Sequence, residues 1–383
     1  EIASCLVGSE MCIRDRLDIM IKRDTMKIII TVNSLTKGSG LSKYVYNLCN
    51  VLKGDDNELH IITTHAEQPE FEHQLFERDK NIRVHQLHQF SKISRYVKLF
   101  FLIWRLKADL LINNYNAPTQ FVLPYCKRIS KVVHIIHNDT SDFYRIAAIN
   151  GKYVDGWVAP TPGVRDNFNS YSHGMYADKI VAISHGVELP SKYSVVSNRG
   201  NRLELVFVGV LYEHKGVLTL PGIVKILRNH GLDFHLTIIG KGILQEQLRR
   251  EMAQDIKDGI VDFTGVIPAS GVYQYMANAH VFLYPTQLDS FGLVIAEAMI
   301  NGAVPVVSHL QGITDALVDE GVNGFLIENP KDAKSFVSRI EQLAVNRVLL
   351  ERMSLEARKK AETSFSLKKF YENYERYFEK LMK

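Results

Sequence analysis

Asp289-Ser290-Phe291-Gly292-Leu293-Val294-Ile295-Ala296-Glu297-Ala298-Met299 sets two acids eight positions apart, with Phe-Gly between them and an apolar run following. Upstream, Tyr284-Pro285 closes the apolar run Val281-Phe282-Leu283, so Thr286 to Ser290 reads as a loop at a strand's end. Downstream, Leu293, Val294, Ala296, Met299 and Ile300 fit a largely buried helix that stops near Asn301-Gly302, with Gly302 as its C-terminal cap. Gly292 and its neighbours then form the first helical turn. Their N–H groups have no intrahelical partner and, with the positive end of the helix dipole, suit a phosphate. Asp289 falls just before that turn and Glu297 more than one turn inside it, so the two acids do different jobs rather than form one paired-carboxylate centre.

Outward from this block, short apolar strands alternate with longer helical stretches, the pattern of parallel sheets covered by helices on both faces. One series of strands spans Lys27 to Val32, Leu59 to Thr63, Asp109 to Ile112, Val132 to Ile136 and Gly156 to Val158. A second spans Leu203 to Val208, Phe234 to Ile239, Val261 to Phe263, Val281 to Tyr284, Val304 to Val307 and Phe325 to Ile327. Leu189 to Asn201 is polar and lacks either periodicity, so it is the expected linker. The expected organisation is therefore an N-terminal Rossmann-like domain over 26–190, a C-terminal one over 202–365, and a final helix over 366–383. At 383 residues, 46% hydrophobic and 23% charged, the chain is long enough for two separate cores. A net charge of +4 is far from a nucleic-acid-binding profile.

Val7-Gly8-Ser9-Glu10-Met11-Cys12-Ile13-Arg14-Asp15 resembles a translated sequencing-library adapter, so residues 1–25 are set aside as a non-native extension, with Met26 the expected start and Met20 the alternative. Charges at Glu10, Arg14, Asp15 and Arg16 stand where a signal peptide needs an apolar core. The remaining Cys49 and Cys126 lie in apolar surroundings without Cys-x-x-Cys spacing and are expected as buried reduced thiols, which fits a cytoplasmic compartment. No run reaches the ~18 apolar residues of a spanning helix, so any membrane contact is peripheral.

Several further loops carry chemistry. Gly209-Val210-Leu211-Tyr212-Glu213-His214-Lys215-Gly216 reads as a strand end, a loop and a helix start, with Lys215 placed to reach an anion. Gly38-Ser39-Gly40 follows the first strand and precedes a helix, allowing close backbone approach to a ligand. Lys43 stands where a third glycine would complete a dinucleotide fingerprint, which argues against a nicotinamide cofactor. His137-Asn138-Asp139 follows a strand and points toward the ligand side of the sheet, whereas His134 lies within the strand as a satisfied core histidine. Gly240-Lys241-Gly242 and Gly265-Val266-Ile267 end two more strands, while Gly312 and Asp315 fit a plain turn almost as well as a site. No His-x-x-x-His, cysteine cluster or Asp-x-Asp supports a metal.

The acid-x7-Glu block with internal Phe-Gly, followed by Ala298-Met299-Ile300-Asn301-Gly302-Ala303-Val304-Pro305-Val306-Val307, resembles the signature of retaining GT-B glycosyltransferases of family four. The resemblance implies an α/β fold of two Rossmann-like domains facing a central cleft, with the C-terminal helix crossing back to the first. It implies that Asp289 faces the donor sugar's hydroxyls, that Phe291, Gly292, Leu293 and Val294 face the diphosphate, and that Glu297 holds the ribose. Lys215, with Gly209 and Lys241, would lie on the diphosphate side, Val266 at the base, Gly38 and Gly40 on the facing loop, and His137 near sugar and acceptor. It further implies a nucleotide-sugar donor, UDP favoured, a glycan or lipid-linked acceptor, and no metal or other cofactor.

Two positions depart from the family. Asp289 replaces a glutamate, shortening its reach by ~1.5 Å, and Val210 stands where the family carries an arginine. A nucleotide-sugar epimerase or hydrolase of the same fold, and a non-catalytic nucleotide-sugar-binding subunit, are the rival expectations. Lys92 to Lys107 mixes basic residues with Leu99-Phe100-Phe101-Leu102-Ile103-Trp104. A basic aromatic helix can lie on an anionic membrane, but the apolar residues surround the axis, so the expectation is a helix buried against the sheet with a basic end exposed.

Overall fold

The computed structural model describes residues 25–36, 40–53, 57–65, 76, 80–88, 91–126, 129–190 and 202–383. The expected extension 1–25 (apart from residue 25), the core of the expected linker and Gly38 lie outside them. The first sheet holds β1 (Lys27–Val32), β2 (Glu58–Thr63), β3 (Ile82–Gln86), β4 (Leu110–Asn114), β5 (Lys131–Ile135), β6 (Gly156–Ala159) and β7 (Ile180–Ala182), in the order β3-β2-β1-β4-β5-β6-β7. Its helices are α1 (Gly40–Leu52), α2 (Lys92–Leu106), α3 (Ala117–Val122), α4 (Ser141–Ala148) and α5 (Pro162–Tyr171). The second sheet holds β8 (Leu203–Val208), β9 (Phe234–Ile239), β10 (Val261–Gly265), β11 (Val281–Tyr284), β12 (Val304–Ser308) and β13 (Phe325–Ile327), in the order β10-β9-β8-β11-β12-β13. With it come α6 (Leu220–Asn229), α7 (Gln245–Glu251), α8 (Ala253–Lys257), α9 (Ala269–Asn278), α10 (Leu293–Ile300), α11 (Ala333–Val345), α12 (Arg347–Phe365) and α13 (Leu367–Met382).

This is the α/β class expected, with parallel pairing such as Ile28↔Leu59, Ile28↔Leu110, Leu205↔Leu236 and Val281↔Leu205. Ile28, Ile29 and Ile30 are all buried, as central parallel strands covered on both faces require, and each such side chain contributes about 1.5–3 kcal/mol. Strand order reverses beside β1 and again beside β8, and ligands of such sheets bind beyond the strand carboxyl ends at those points. Two strands escaped the sequence reading. β3 alternates apolar with Arg83, His85 and Gln86, and β7 is three residues long; neither carries the continuous apolar run that marks strands such as β1 and β11.

By compactness the chain divides into one unit of Glu1–Ile135, Arg145–Trp157 and Glu379–Lys383, and a second of Ile136–Tyr144 and Val158–Phe378. The expected boundary near 190 follows the two strand series, whereas compactness groups 158–190 with the second series. Within that second unit Gly163 N–H donates to Gly312 O at 2.7 Å, and Val187 N–H donates to Phe365 O at 2.7 Å just before α13.

Cys49 and Cys126 are buried and unpaired with each other, and burial pushes the Cys126 thiol up to about 11. His134 is buried and its pKa is pushed down to about 3 by desolvation. Its Nδ1 lies 3.2 Å from Gln120 Oε1 while Nε2 has no partner among the described residues, so it is half satisfied. The expectation for Lys92–Lys107 is corrected. Leu99 and Ile103 are buried, but Ile93, Val97, Phe101 and Trp104 are exposed, because α2 packs through one side only.

Candidate functional site

β11 ends at Tyr284, and the loop that follows is fastened to the turn carrying Lys215. Gln287 N–H donates to His214 O at 2.8 Å, and Thr286 Oγ1 donates to Leu288 O at 2.9 Å. Gly216 has φ +68°, and a Cβ there would stand 1.6 Å from Pro285 O, so only glycine lets the two loops meet. The junction delivers Lys215 Nζ to Asp289 Oδ2 at 2.8 Å and to Leu288 O at 3.2 Å. Tyr284 donates its hydroxyl to the same carboxylate oxygen at 2.9 Å.

The other oxygen, Oδ1, accepts from the backbone N–H groups of Ser290 at 2.8 Å, Gly292 at 3.0 Å and Phe291 at 3.3 Å. Burial alone would raise the Asp289 pKa, but the Lys215 charge, the Ser290 amide and the Tyr284 hydroxyl outweigh it and hold the carboxyl below its ordinary value. Tyr284 is driven the opposite way, by burial and by the adjacent carboxylate. Gly292, at φ +82°, starts α10 with its N–H committed to Asp289. The Leu293 and Val294 N–H groups have no acceptor among the described residues, so they are the first-turn donors left for an anion. Glu297, deeper in α10, is buried and accepts from the Tyr273 hydroxyl of α9 at 3.1 Å.

The loops after β8, β9 and β10 are laced by backbone contacts. Gly209 N–H donates to Ile239 O at 3.0 Å, Leu211 N–H to Lys241 O at 3.0 Å, and Gly240 N–H to Gly265 O at 2.9 Å. Gly240, at φ +133°, has no room for a side chain, since a Cβ would lie 1.9 Å from Gly209 O. This brings Gly209 and Lys241 together at the strand ends, with the Lys241, Val210 and Val266 side chains exposed.

Segments 136–144 and 158–190 supply the rest of the site within the same unit. Ser290 is held from both sides: its hydroxyl donates to His137 O at 2.8 Å, and its carbonyl accepts from Thr161 Oγ1 at 3.0 Å. Thr161 caps α5, with Pro162 in the first turn. The His137 ring stacks on His185 with centroids 6.5 Å apart, and His185 meets Phe291 edge-on at 5.0 Å. Burial pushes the His185 pKa down to about 4, against the pull of the Asp289 charge. Asp139 accepts from Tyr144 and from Asn167 Nδ2, the latter at 3.0 Å. A cavity of about 580 Å³ opens here, lined by Asp139, Asp166, Asn167, Asp289 and Gly312 among others.

The fold thus gathers His137, Lys215 and Asp289 around one loop and sets Leu293, Val294 and Glu297 on the helix that follows. Gly209, Lys241 and Val266 mark neighbouring strand ends of the same sheet. Gly40 opens α1 in the first unit. Sequence reasoning missed His185, Thr161, Ser290, Tyr284 and Tyr273 as members of the site. The signal for His185 was present in Ile180-Val181-Ala182-Ile183 running into Ser184-His185-Gly186, a short strand followed by a loop. Among the described residues no group of three or more His, Cys, Asp or Glu could hold a metal ion.

Two family models match the chain, Glycosyltransferase Family 4 over residues 38–190 and Glycosyl transferases group 1 over residues 192–360. The amylovoran biosynthesis glycosyltransferase AmsK of Erwinia amylovora is 28% identical over 201 residues, 50% of this chain and 49% of that protein. The putative colanic acid biosynthesis glycosyltransferase WcaL of Salmonella typhimurium is 29% identical over 203 residues, 51% of this chain and 50% of that protein. The matched stretch thus spans about half the length of these curated relatives. Among solved structures, Anabaena HepE in complex with UDP-glucose superposes with a TM-score of 0.73 at 18% identity, covering 92% of this chain and 99% of that one. With two parallel sheets of this order and both family models matched in sequence, the chain belongs to the GT-B glycosyltransferases of family four.

Proposed function

We propose that this protein transfers a glycosyl group from a nucleoside diphosphate sugar, UDP-linked, to a hydroxyl of a glycan or lipid-linked acceptor in polysaccharide biosynthesis, with retention at the anomeric carbon. The observation that carries this reading is Lys215 held 2.8 Å from Asp289 at the mouth of α10, beside the open Leu293 and Val294 amides. An ammonium has three donors. Asp289 and Leu288 O take two, and the third is left for a phosphate oxygen. As the bond from the anomeric carbon to the diphosphate breaks, the charge that builds on the leaving oxygens meets Lys215 and the positive end of α10, a stabilisation that grows toward the transition state. The acceptor oxygen bonds to the anomeric carbon on the face the diphosphate leaves, and its proton passes to a donor phosphate oxygen.

Asp289 does two jobs in this scheme: it orders the loop through three amides and sets the position of Lys215. Glu297 holds the ribose, and no metal or other cofactor takes part. The names of the relatives above, and the UDP-glucose bound in HepE, support the donor and pathway class. The setting would be the cytoplasmic face of a membrane, with the chain attached peripherally.

The test is turnover of UDP-sugars with and without a polyprenyl-linked or oligosaccharide acceptor, for the native chain and for Lys215→Ala and Glu297→Ala. Acceptor-dependent release of UDP that falls at least about a hundredfold in Lys215→Ala is expected. Donor consumption without acceptor would point to a hydrolase or epimerase. Tight UDP binding with no turnover would point to a non-catalytic subunit, a reading that Val210 in place of the family's arginine favours.

A further inference from the structure

Tyr284 ends β11 as one of the largest fully buried side chains. Its ring is seated among other rings: Phe282 stacks on it with centroids 5.5 Å apart, and Phe207 lies 6.0 Å away. A phenylalanine would fill this space equally well, so packing does not account for the hydroxyl. A buried phenol calls for a hydrogen-bond partner. Here the partner is Asp289 Oδ2 at 2.9 Å.

The same oxygen accepts from Lys215 Nζ at 2.8 Å. Each carboxylate oxygen offers about two lone-pair sites. The three amides on Oδ1 fix the carboxylate to its own loop, so the two sites on Oδ2 cannot turn away. With Tyr284 on one, Lys215 is confined to the other. Leu288 O at 3.2 Å takes a second N–H, and the Tyr284 ring centroid stands 5.5 Å from Nζ, within cation–π range. The ammonium is held from three directions, which fixes where its remaining N–H points. The side chains of Lys215 and Asp289 are only 17% and 14% exposed, so little water is at hand to take over these contacts.

Without the hydroxyl, two changes act in the same direction. Nζ gains a second site on Oδ2 and spends part of its time there, and the carboxylate, shared with one donor fewer, draws the ammonium in more strongly. Both turn the remaining N–H away from an incoming anion. The effect is larger in this chain because Val210, where the family carries an arginine, leaves more of a diphosphate's charge to Lys215. On the reading that Lys215 meets the donor diphosphate, we propose that Tyr284 is a positioning residue of the transfer site. Its hydroxyl takes one side of Asp289 Oδ2, confines Lys215 to the other, and so aims the remaining ammonium N–H at the diphosphate.

Tyr284→Phe removes the oxygen and keeps the ring, and a melting midpoint within a few degrees of the native one establishes that the fold is retained. In calorimetric titration UDP is expected to bind Tyr284→Phe about tenfold more weakly than the native chain. Uridine, which has no phosphate, should bind both alike. Lys215→Met should weaken UDP by about thirtyfold, and adding Tyr284→Phe to it should cost less than about twofold more, since no ammonium is left to aim. Placing 4-aminophenylalanine at position 284 returns a donor to Asp289 and should restore UDP affinity to within about threefold of native. Equal UDP affinity in Tyr284→Phe and the native chain would overturn the proposal, as would no recovery with the amino ring. So would a full tenfold further loss on the Lys215→Met background or an equal loss for uridine, because the hydroxyl would then act on the shape of the loop rather than through Lys215. If Lys215→Met binds UDP as tightly as the native chain, the placing of Lys215 on the diphosphate fails first and takes this assignment with it.

Discussion

The helices α10 and α2 are built around apolar runs of similar character, yet one is buried on all sides and the other wears half of its apolar surface outward. α10 is clasped by β11, β12, α9 and α12, and every residue from Ile295 to Ile300 is buried, Glu297 included. α2 meets its own sheet through Leu99 and Ile103 and leaves Ile93, Val97, Phe101 and Trp104 in solvent. An apolar run therefore shows that a helix is able to be buried. How many elements pack on it decides whether it is. The sequence carried one discriminating sign: the six-residue run of α10 holds a single acid, whereas the α2 run is bracketed by cations only.

The largest expected effect sets the same substitution in both helices. Ala298→Asp forces a carboxylate into a position with no exposure, a cost of more than about 4 kcal/mol. Against a total stability of about 5–15 kcal/mol this should yield insoluble or unfolded protein. Phe101→Asp changes an exposed position and should shift stability by no more than about 1 kcal/mol. Denaturant midpoints of the two variants check the contrast, and a soluble, native-like Ala298→Asp would break it.

Exposure means something different at Val210, an apolar side chain open to solvent on the loop laced to Lys241. If that loop borders the diphosphate, Val210→Arg adds a charge-assisted contact and should tighten UDP binding about tenfold, ~1.4 kcal/mol, in a calorimetric titration. An unchanged affinity would place the loop away from the nucleotide.

The two regions should also differ in their response to acid. His185 packs on Phe291 at the entrance to α10, and its pKa is pushed from 6.5 down to about 4. As pH falls below 6.5 the unfolded chain takes up a proton that the folded state refuses, so stability is lost from pH 6.5 down to about 4. The buried His134 adds to the same loss from the first unit. His185→Gln should flatten the slope of urea midpoint against pH in that window by on the order of 1 kcal/mol per pH unit. Lys98→Gln, on the exposed face of α2, should leave the slope as it is. A slope unchanged by His185→Gln would mean that this ring is not shielded from water in solution.

What was legible in the sequence follows from the same physics. Strands with continuous apolar runs, such as Ile28-Ile29-Ile30 and Val304 to Val307, were found within a residue of their ends, because burial on both faces leaves no polar positions to confuse the pattern. β3 and β7 were not, one being half polar and the other too short. At the site, Asp289, Lys215 and the α10 turn were legible because chain proximity and a specific motif place them. The partners that hold them, Tyr284, Thr161 and His185, arrive from other elements, and only tertiary structure brings Thr161 to Ser290 across 129 positions. That Asp289 would satisfy itself with three amides and Lys215 rather than stand open was equally out of reach, since it depends on Gly216 closing against Pro285 O.

The smallest expected effect is the one that most sharply separates the two helices. Ile93→Gln with Val97→Gln removes two branched apolar side chains from the exposed stripe and puts unbranched polar ones in their place. In the folded protein alone in buffer, little packing is lost, because these side chains face solvent. The backbone gains slightly, since β-branched residues restrict their own rotamers on a helix and glutamine does not, a few tenths of a kcal/mol for each position. The expected melting midpoint is therefore equal to or slightly above that of the native chain, the reverse of what removing apolar side chains does in α10. A midpoint lower by more than a few degrees, on the order of 1 kcal/mol or more, would mean that something already covers the stripe in solution, and α2 would then resemble α10 after all.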